Sequence, residues 1–251
     1  MGKLDDRVAL VTGGASGIGK AQAILFAQEG ATVIAADLDE VGAREVAAEI
    51  EASGGRALGV AIDVTDEDVV AAAVSTVVHT YGRIDILSNT AGMFDDFTQT
   101  LDTNRKLWDL VLAVNLTGIY TMTNVVLPHM IAAGHGTIVN IASGAGLRGG
   151  GGGAAYTSTK HAVVGYTRQL SAGYGNQGIR VNAIAPGLID TPMVASFSNT
   201  EDAVAGLRQK PAGRLGTPLD VANAALFLVS DDSDFIHAVT LPVDGGLVET
   251  L

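Results

Sequence analysis

The 251-residue chain contains no cysteine. Disulfides, thiolate nucleophiles and cysteine-held metals are therefore excluded, and a reducing cytoplasm is the compatible setting. Positive charge is also scarce: 15 Lys and Arg stand against 27 Asp and Glu, a net charge of -12. Such a surface repels phosphate backbones and anionic lipid, so neither nucleic acid nor a membrane is an expected partner. Residues Met1 to Arg7 lack the apolar core of a signal peptide, and no apolar run approaches the length of a membrane span. The five histidines, His79, His129, His135, His161 and His237, have no metal-ligand spacing, so no metal is expected. What remains is a single soluble domain, long enough to bury a large core.

Glycine, by contrast, is plentiful at 32 residues, which points to tight turns and close backbone approaches. The apolar run Val8 to Val11 reads as a buried strand. It leads into Thr12-Gly13-Gly14-Ala15-Ser16-Gly17-Ile18-Gly19 and then a helical pattern that ends at Gly30. Strand, glycine loop and helix together form the context of a dinucleotide phosphate site. Gly13 permits the turn, Gly17 lets a pyrophosphate approach the helix N-terminus with Ser16 and Ile18 beside it, and Gly19 lets helix and strand pack. Thr32 to Ala36 is a second strand closed by Asp37. An acidic residue about 20 positions past the loop is where adenosine ribose hydroxyls would be held, with Leu38 next to it.

Strands and helices then alternate. Helices are expected at Val41 to Ser53, from the Thr65-Asp66-Glu67-Asp68 start to about Tyr81, at Thr103 to His129, and from Tyr156 to about Tyr174. Thr217-Pro218-Leu219-Asp220 starts a last helix that runs to Ser230. Strands are expected at Ala57 to Ile62, Ile84 to Ser88, Thr137 to Ala142, Arg180 to Ala185 and Val239 to Val243. The pattern is that of a doubly wound α/β fold with a parallel sheet. In such sheets ligands sit beyond the carboxyl ends of the strands. There the chain places Asn89-Thr90-Ala91-Gly92, Ser143 and Pro186-Gly187. The less regular stretch 188–210 is a candidate lid. Asn115 lies among apolar helix residues, where an amide needs a partner.

The stretch from Ser143 to Lys160 carries the chemistry. A hydroxyl follows a strand, a glycine-rich loop follows it, and Tyr156 has Lys160 four residues on, the one tyrosine of five with lysine at that spacing. On a helix the two share a face, one turn apart. An ammonium beside a phenol is expected to lower the phenol pKa from about 10 and suit it to proton transfer near neutral pH. Ser143 at the same place would bind a carbonyl oxygen.

Taken together, Thr12-Gly13 through Gly17-x-Gly19, Asn89-x-Ala91-Gly92, Asn115, Ser143, Tyr156-x-x-x-Lys160 and Pro186-Gly187 resemble the short-chain dehydrogenase/reductase family over essentially the whole length. The resemblance implies a seven-stranded Rossmann sheet and a homotetramer. It implies Tyr156 as general acid/base, Ser143 as the group that binds the substrate oxygen, Lys160 on the nicotinamide ribose, and Asn115 on a relay water. Asn89, Ala91 and Gly92 would pass close to the cofactor, Asp63 and Val64 would border the adenine, and Ile189 and Thr191 would contact the carboxamide. A pocket of Met93, Phe94, Gly144, Ala145, Leu188, Met193 and Phe197 with Ser143 suits an uncharged ketone or secondary alcohol. Asp37 favours NAD. Two departures stand out: Thr90 where the family has asparagine, and the five-glycine run Gly149 to Gly153. An acyl-carrier-protein ketoreductase and a non-catalytic dinucleotide-binding regulator are the alternatives.

Overall fold

A computed structural model describes residues 2–195 and 211–248. Its centre is a seven-stranded sheet: β1 (Val8–Thr12), β2 (Thr32–Asp37), β3 (Arg56–Ala61), β4 (Ile86–Asn89), β5 (Gly136–Ile141), β6 (Ile179–Pro186) and β7 (Thr240–Val243). All neighbours pair in parallel, in the order β3-β2-β1-β4-β5-β6-β7. The chain walks outward from β1 to β3 and then returns to β4. The order therefore reverses between β1 and β4, which opens a crevice at their carboxyl ends.

Each central strand is buried on both faces because its side chains alternate between two cores. Ala9, Val11, Val33, Ala35, Val139 and Ile141 face one core, shared with α1 (Gly17–Gln28) and α7 (Pro218–Val229). Val8, Leu10, Ile34, Ala36 and Ile138 face the other, shared with α3 (Glu67–Tyr81) and α5 (Gly118–Ala133). The remaining helices are α2 (Glu40–Ala52), α4 (Arg105–Leu112) and α6 (Ala154–Tyr174).

Local chemistry sets the ends of several elements. Asp66, not Thr65, caps α3 by accepting from Asp68 and Val69 N–H. Thr217 and Asp220 cap each other's backbone at the start of α7, with Pro218 in the first position. Asp85 precedes β4 as a buried carboxylate that accepts from Val8 N–H at 2.8 Å, and the strand begins at Ile86 rather than Ile84.

The stretch expected as one helix from Thr103 to His129 is helical from Arg105 to Ala133, but a π-turn, Ala113–Thr117, interrupts it at Asn115. This 29-residue stretch is long and apolar enough to cross a membrane by length and composition alone. Its apolarity is accounted for by burial: Val111, Ile119, Met122, Val126 and Met130 all pack inside the fold.

Candidate active site

The floor of the crevice is laced together from β1 and β4. The Thr12 hydroxyl accepts from both Thr90 and Ala91 N–H at 3.0 Å, drawing the turn after β4 against the glycine loop. A side chain at Gly13 would lie 3.0 Å from the Ala91 backbone, and Gly13 has a left-handed φ of 66°. One at Gly19 would lie 2.0 Å from the Gly13 carbonyl oxygen. Both positions exclude any larger residue. Thr90, where the resembled family has asparagine, is itself tied down: its hydroxyl donates to Gln22 Oε1 at 2.7 Å and lies 3.0 Å from the Ser88 hydroxyl. Asn89 faces inward instead and donates to Asn140 Oδ1 at 2.9 Å.

At the end of β2, Asp37 accepts from Ala15 N–H with one oxygen and from Asp39 N–H with the other, each at 3.0 Å. Its carboxylate thus stands beside the glycine loop, and Leu38 next to it is 74% exposed. Asp63 accepts from the Thr65 backbone and hydroxyl. Val64 is buried against Gly118.

The π-turn has a purpose. It turns the fully buried Asn115 toward the segment after β4, where its amide clamps Met93. Asn115 Oδ1 accepts from Met93 N–H at 2.8 Å, and Nδ2 donates to the Met93 carbonyl at 2.9 Å and to the Thr159 hydroxyl at 3.4 Å. Lys160 lies on the inner face of α6 and donates to the Ile141 carbonyl at 2.8 Å. Burial lowers its pKa from 10.5 to about 8. Ser143 follows β5, and its hydroxyl accepts from Ala145 N–H at 3.1 Å.

Tyr156 corrects one sequence expectation. Its pKa is raised, not lowered: burial dominates, the Ser143 hydroxyl opposes, and the Asp95 charge adds to the rise. The Lys160 ammonium, 5.5 Å from the ring centre, does not outweigh the loss of solvent.

The glycine run also finds its reason. Side chains at Gly151, Gly152 and Gly153 would meet Ala145 at 2.9 Å, the Tyr156 ring at 2.6 Å and the Thr98 carbonyl oxygen at 2.4 Å. Gly149 and Gly150 meet nothing within 4 Å, though Gly150 has a φ of 82°. Three of the five glycines therefore seat the loop, Gly152 against the tyrosine and Gly151 and Gly153 against Ala145 and Thr98.

These elements border an open cleft. Gly13, Ser16, Gly17, Ile18, Gly19, Gly92, Ser143, Tyr156, Lys160, Pro186, Gly187, Ile189, Thr191 and Met193 all line it. Of the remaining predicted pocket residues, Phe94 stands edge-on to the Tyr156 ring at 4.9 Å. Gly144 lies beside Val248, and Ala145 beside Gly151. Leu188 lines a separate cleft with Arg214 and Asp244. Phe197 and most of the proposed lid, 196–210, lie outside the described residues. Among the described residues no acidic or histidine cluster is arranged to hold a metal.

Sequence reasoning missed Asp95, Gln22 and Val248. Each acts across a large chain separation, as Asp95 does on Tyr156, so no local spacing signals it.

A nicotinamide dinucleotide fits this cleft. Ser16 makes no side-chain cap on α1, so the first-turn N–H groups stay available to a pyrophosphate. Gly13, Gly17 and Gly19 line the cleft together with Lys160, Pro186 and Gly187, so a cofactor can lie there against bare backbone.

Comparison with known proteins gives the same answer. A family model described as enoyl-(acyl carrier protein) reductase matches residues 13–248. The chain is 41% identical over 246 residues to the 3-oxoacyl-(acyl-carrier-protein) reductase of Thermotoga maritima, covering 98% of this chain and 99% of that protein. It is 42% identical over 241 residues to the cis-4-hydroxycyclohexanecarboxylate dehydrogenase of Sinomonas cyclohexanicum, with 96% of each covered. A structure assigned as an NAD(P)-dependent gluconate 5-dehydrogenase from Beutenbergia cavernae, solved with NADP at low occupancy, superposes with a TM-score of 0.93 at 38% identity, covering 98% of each chain. Likeness of this degree along nearly the whole length places the chain in the short-chain dehydrogenase/reductase family, as an NAD(P)-type oxidoreductase acting on CH–OH groups.

Proposed function

We propose that the protein interconverts a small secondary alcohol and its ketone with NAD as cofactor and Tyr156 as general acid/base. The observation that carries this reading is the meeting of the Ser143 and Tyr156 side chains in one cleft with the glycine loop and the buried Lys160. When bound, the nicotinamide supplies or accepts a hydride at the carbon that bears the oxygen. The protein's part is to hold that oxygen and move its proton. Ser143 donates a hydrogen bond to the oxygen. Tyr156, kept protonated by burial, gives its phenolic proton to the carbonyl oxygen during reduction. In oxidation the phenolate takes the proton back.

Lys160 spends one N–H on the Ile141 carbonyl and keeps two for the nicotinamide ribose. Asn115 fixes Met93 and the turn after β4, which borders the same space. Asp37 accepts from the adenosine ribose hydroxyls, which supports NAD. Phe94, Met193 and Val248 bring apolar surface to the substrate end and suit an uncharged carbonyl compound.

The apolar side chains left exposed on the helices, Leu110, Tyr120, Leu219 and Phe227, support assembly into a homotetramer.

The test is the absorbance of NADH with a panel of cyclic and acyclic ketones, read alongside Tyr156→Phe. Turnover that survives loss of the phenol overturns the assignment. The panel includes a 3-oxoacyl thioester, because the 41% identity to an acyl-carrier-protein reductase favours that substrate as a second reading. Preference for the thioester over every simple ketone would establish it.

A further inference from the structure

Asp95 is a buried carboxylate, 1% exposed, in the segment after β4. One of its oxygens accepts from Gly153 N–H and the other from Tyr156 N–H, each at 2.8 Å. Gly153 is the cap position of α6 and has no side chain with which to cap it. Asp95 supplies the cap from 58 residues away. The fit is mutual, since a side chain at Gly153 would lie 2.6 Å from Asp95 Oδ2.

The same segment is tied down twice more. Ala154 N–H donates to the Thr98 carbonyl at 2.9 Å, and Thr98 N–H donates to the Asp95 carbonyl at 2.9 Å. Between these ties Asp96 and Phe97 are held at left-handed φ values of 49° and 56°, a conformation that bulky residues adopt only when their surroundings enforce it. The result is an aromatic stack that ends on the reacting group: Phe97 stands edge-on to Phe94 at 4.8 Å, and Phe94 edge-on to Tyr156 at 4.9 Å.

We propose that Asp95 is a positioning residue for the reaction: its carboxylate locks the first turn of α6 to the segment after β4, and so fixes both where the Tyr156 ring stands and what charge it meets. The inference rests on Tyr156 being the acid/base. A helix cap alone does not require a charge, because serine or asparagine caps as well. A carboxylate buried without a cation is costly, and among the described residues Asp95 makes no ion pair. The charge has a use of its own: a negative group held on the Tyr156 backbone N–H adds to the burial that disfavours phenolate and so helps keep the proton on Tyr156.

The other groups around the phenol do not duplicate it. Lys160, on the same helix, acts in the opposite sense. Ser143, after β5, is neutral. Arg105 on α4, which borders Gly153 and Ala154, is paired with Asp109.

The experiment is the pH profile of kcat for Asp95→Asn and Asp95→Ser in both directions, with Asp95→Glu and Tyr156→Phe as companions. Either neutral variant should move the limb assigned to the phenol to lower pH by about one unit. Ketone reduction would then fail at lower pH, and alcohol oxidation would reach its plateau at lower pH. Asp95→Glu should lose turnover but keep the parental limb. A purely structural cap would scale the whole profile down and leave the limb in place, and that result in a folded neutral variant overturns the proposal. Near-parental turnover in Tyr156→Phe would instead remove the underlying reading. An inactive Tyr156→Phe with an unmoved limb in Asp95→Asn removes this inference alone.

Discussion

The Lys160 ammonium lies 5.5 Å from the centre of the Tyr156 ring while donating at 2.8 Å to the Ile141 carbonyl. The lysine is thus anchored by the end of β5, and its remaining N–H groups are free for a ligand. The arrangement has a thermodynamic cost, because the ammonium is buried with a neutral acceptor only.

The first prediction concerns that cost. Burial lowers the Lys160 pKa from 10.5 to about 8. The folded state therefore disfavours the charged form, and the unfolded chain binds the extra proton between those values. The penalty is fully present below pH 8 and fades as pH rises toward 10.5. At 1.36 kcal/mol per pKa unit its size is on the order of 3 kcal/mol. Lys160→Met should abolish turnover yet raise the denaturation midpoint at pH 7, and the gain should shrink by pH 10. Urea unfolding at a series of pH values checks this, and a variant less stable at pH 7 would contradict it.

A second prediction separates the glycines of the loop. Gly149 has open space around it and no left-handed φ, so Gly149→Ala should leave kcat unchanged and alter stability by less than about 1 kcal/mol. Gly152→Ala would press a methyl against the Tyr156 ring at 2.6 Å. It should cost about 1–3 kcal/mol and lower kcat well beyond any change in KM, because the displaced ring is the proposed acid/base. Thermal melts and steady-state kinetics on the two variants give the contrast.

The alternation of strands and helices was legible because each element carries its own signal: the buried run of β1, the glycine turn after it, the Thr217-Pro218 start of α7. The pairing of Tyr156 with Lys160 was legible for a related reason. Tyr156 and Lys160 are neighbours on one helix, so chain spacing reports spatial spacing. The direction of the phenol's pKa was not legible, because spacing records the cation but not the solvent excluded around it. Nor was the π-turn at Asn115, whose register depends on reaching Met93 across 22 residues. The glycine run fell between the two: its composition was plain, but its contacts with Ala145, Tyr156 and Thr98 exist only in the folded chain.

Assembly gives a third prediction. Tyr120 on α5 is 52% exposed and lies 6.4 Å from Tyr166 on α6, while Leu219 and Phe227 stand out on α7. Two apolar surfaces on different sides of one subunit suit a closed assembly with two kinds of two-fold contact. Light scattering at micromolar concentration should give the mass of four chains. Tyr120→Glu should reduce that mass, and a parent that stays monomeric would count against the tetramer.

The last prediction concerns the cofactor. Asp37 is held between Ala15 and Asp39 N–H, so its carboxylate stands at the end of β2, where the adenosine ribose would lie. There it can accept from both ribose hydroxyls of NAD. Against NADP it would face a phosphate with nearly two negative charges, and unit charges 4 Å apart at an effective dielectric of 20 repel by about 4 kcal/mol. A cation could relieve that repulsion. Arg44 is the nearest basic residue in sequence, but its guanidinium is paired with Glu40 one turn back. The glycine loop offers only Ala15 and Ser16 where a basic side chain would help. NAD should therefore be preferred over NADP by at least about tenfold in kcat/KM, each factor of ten being 1.4 kcal/mol. Asp37→Ser with Leu38→Arg should narrow or reverse the ratio, since the exposed position 38 lets a guanidinium reach the phosphate from solvent. That double variant should also bind NAD more weakly by about 1 kcal/mol, because the Ala15 N–H loses its carboxylate acceptor. Equal kcat/KM for the two cofactors in the parent protein would refute the role given to Asp37.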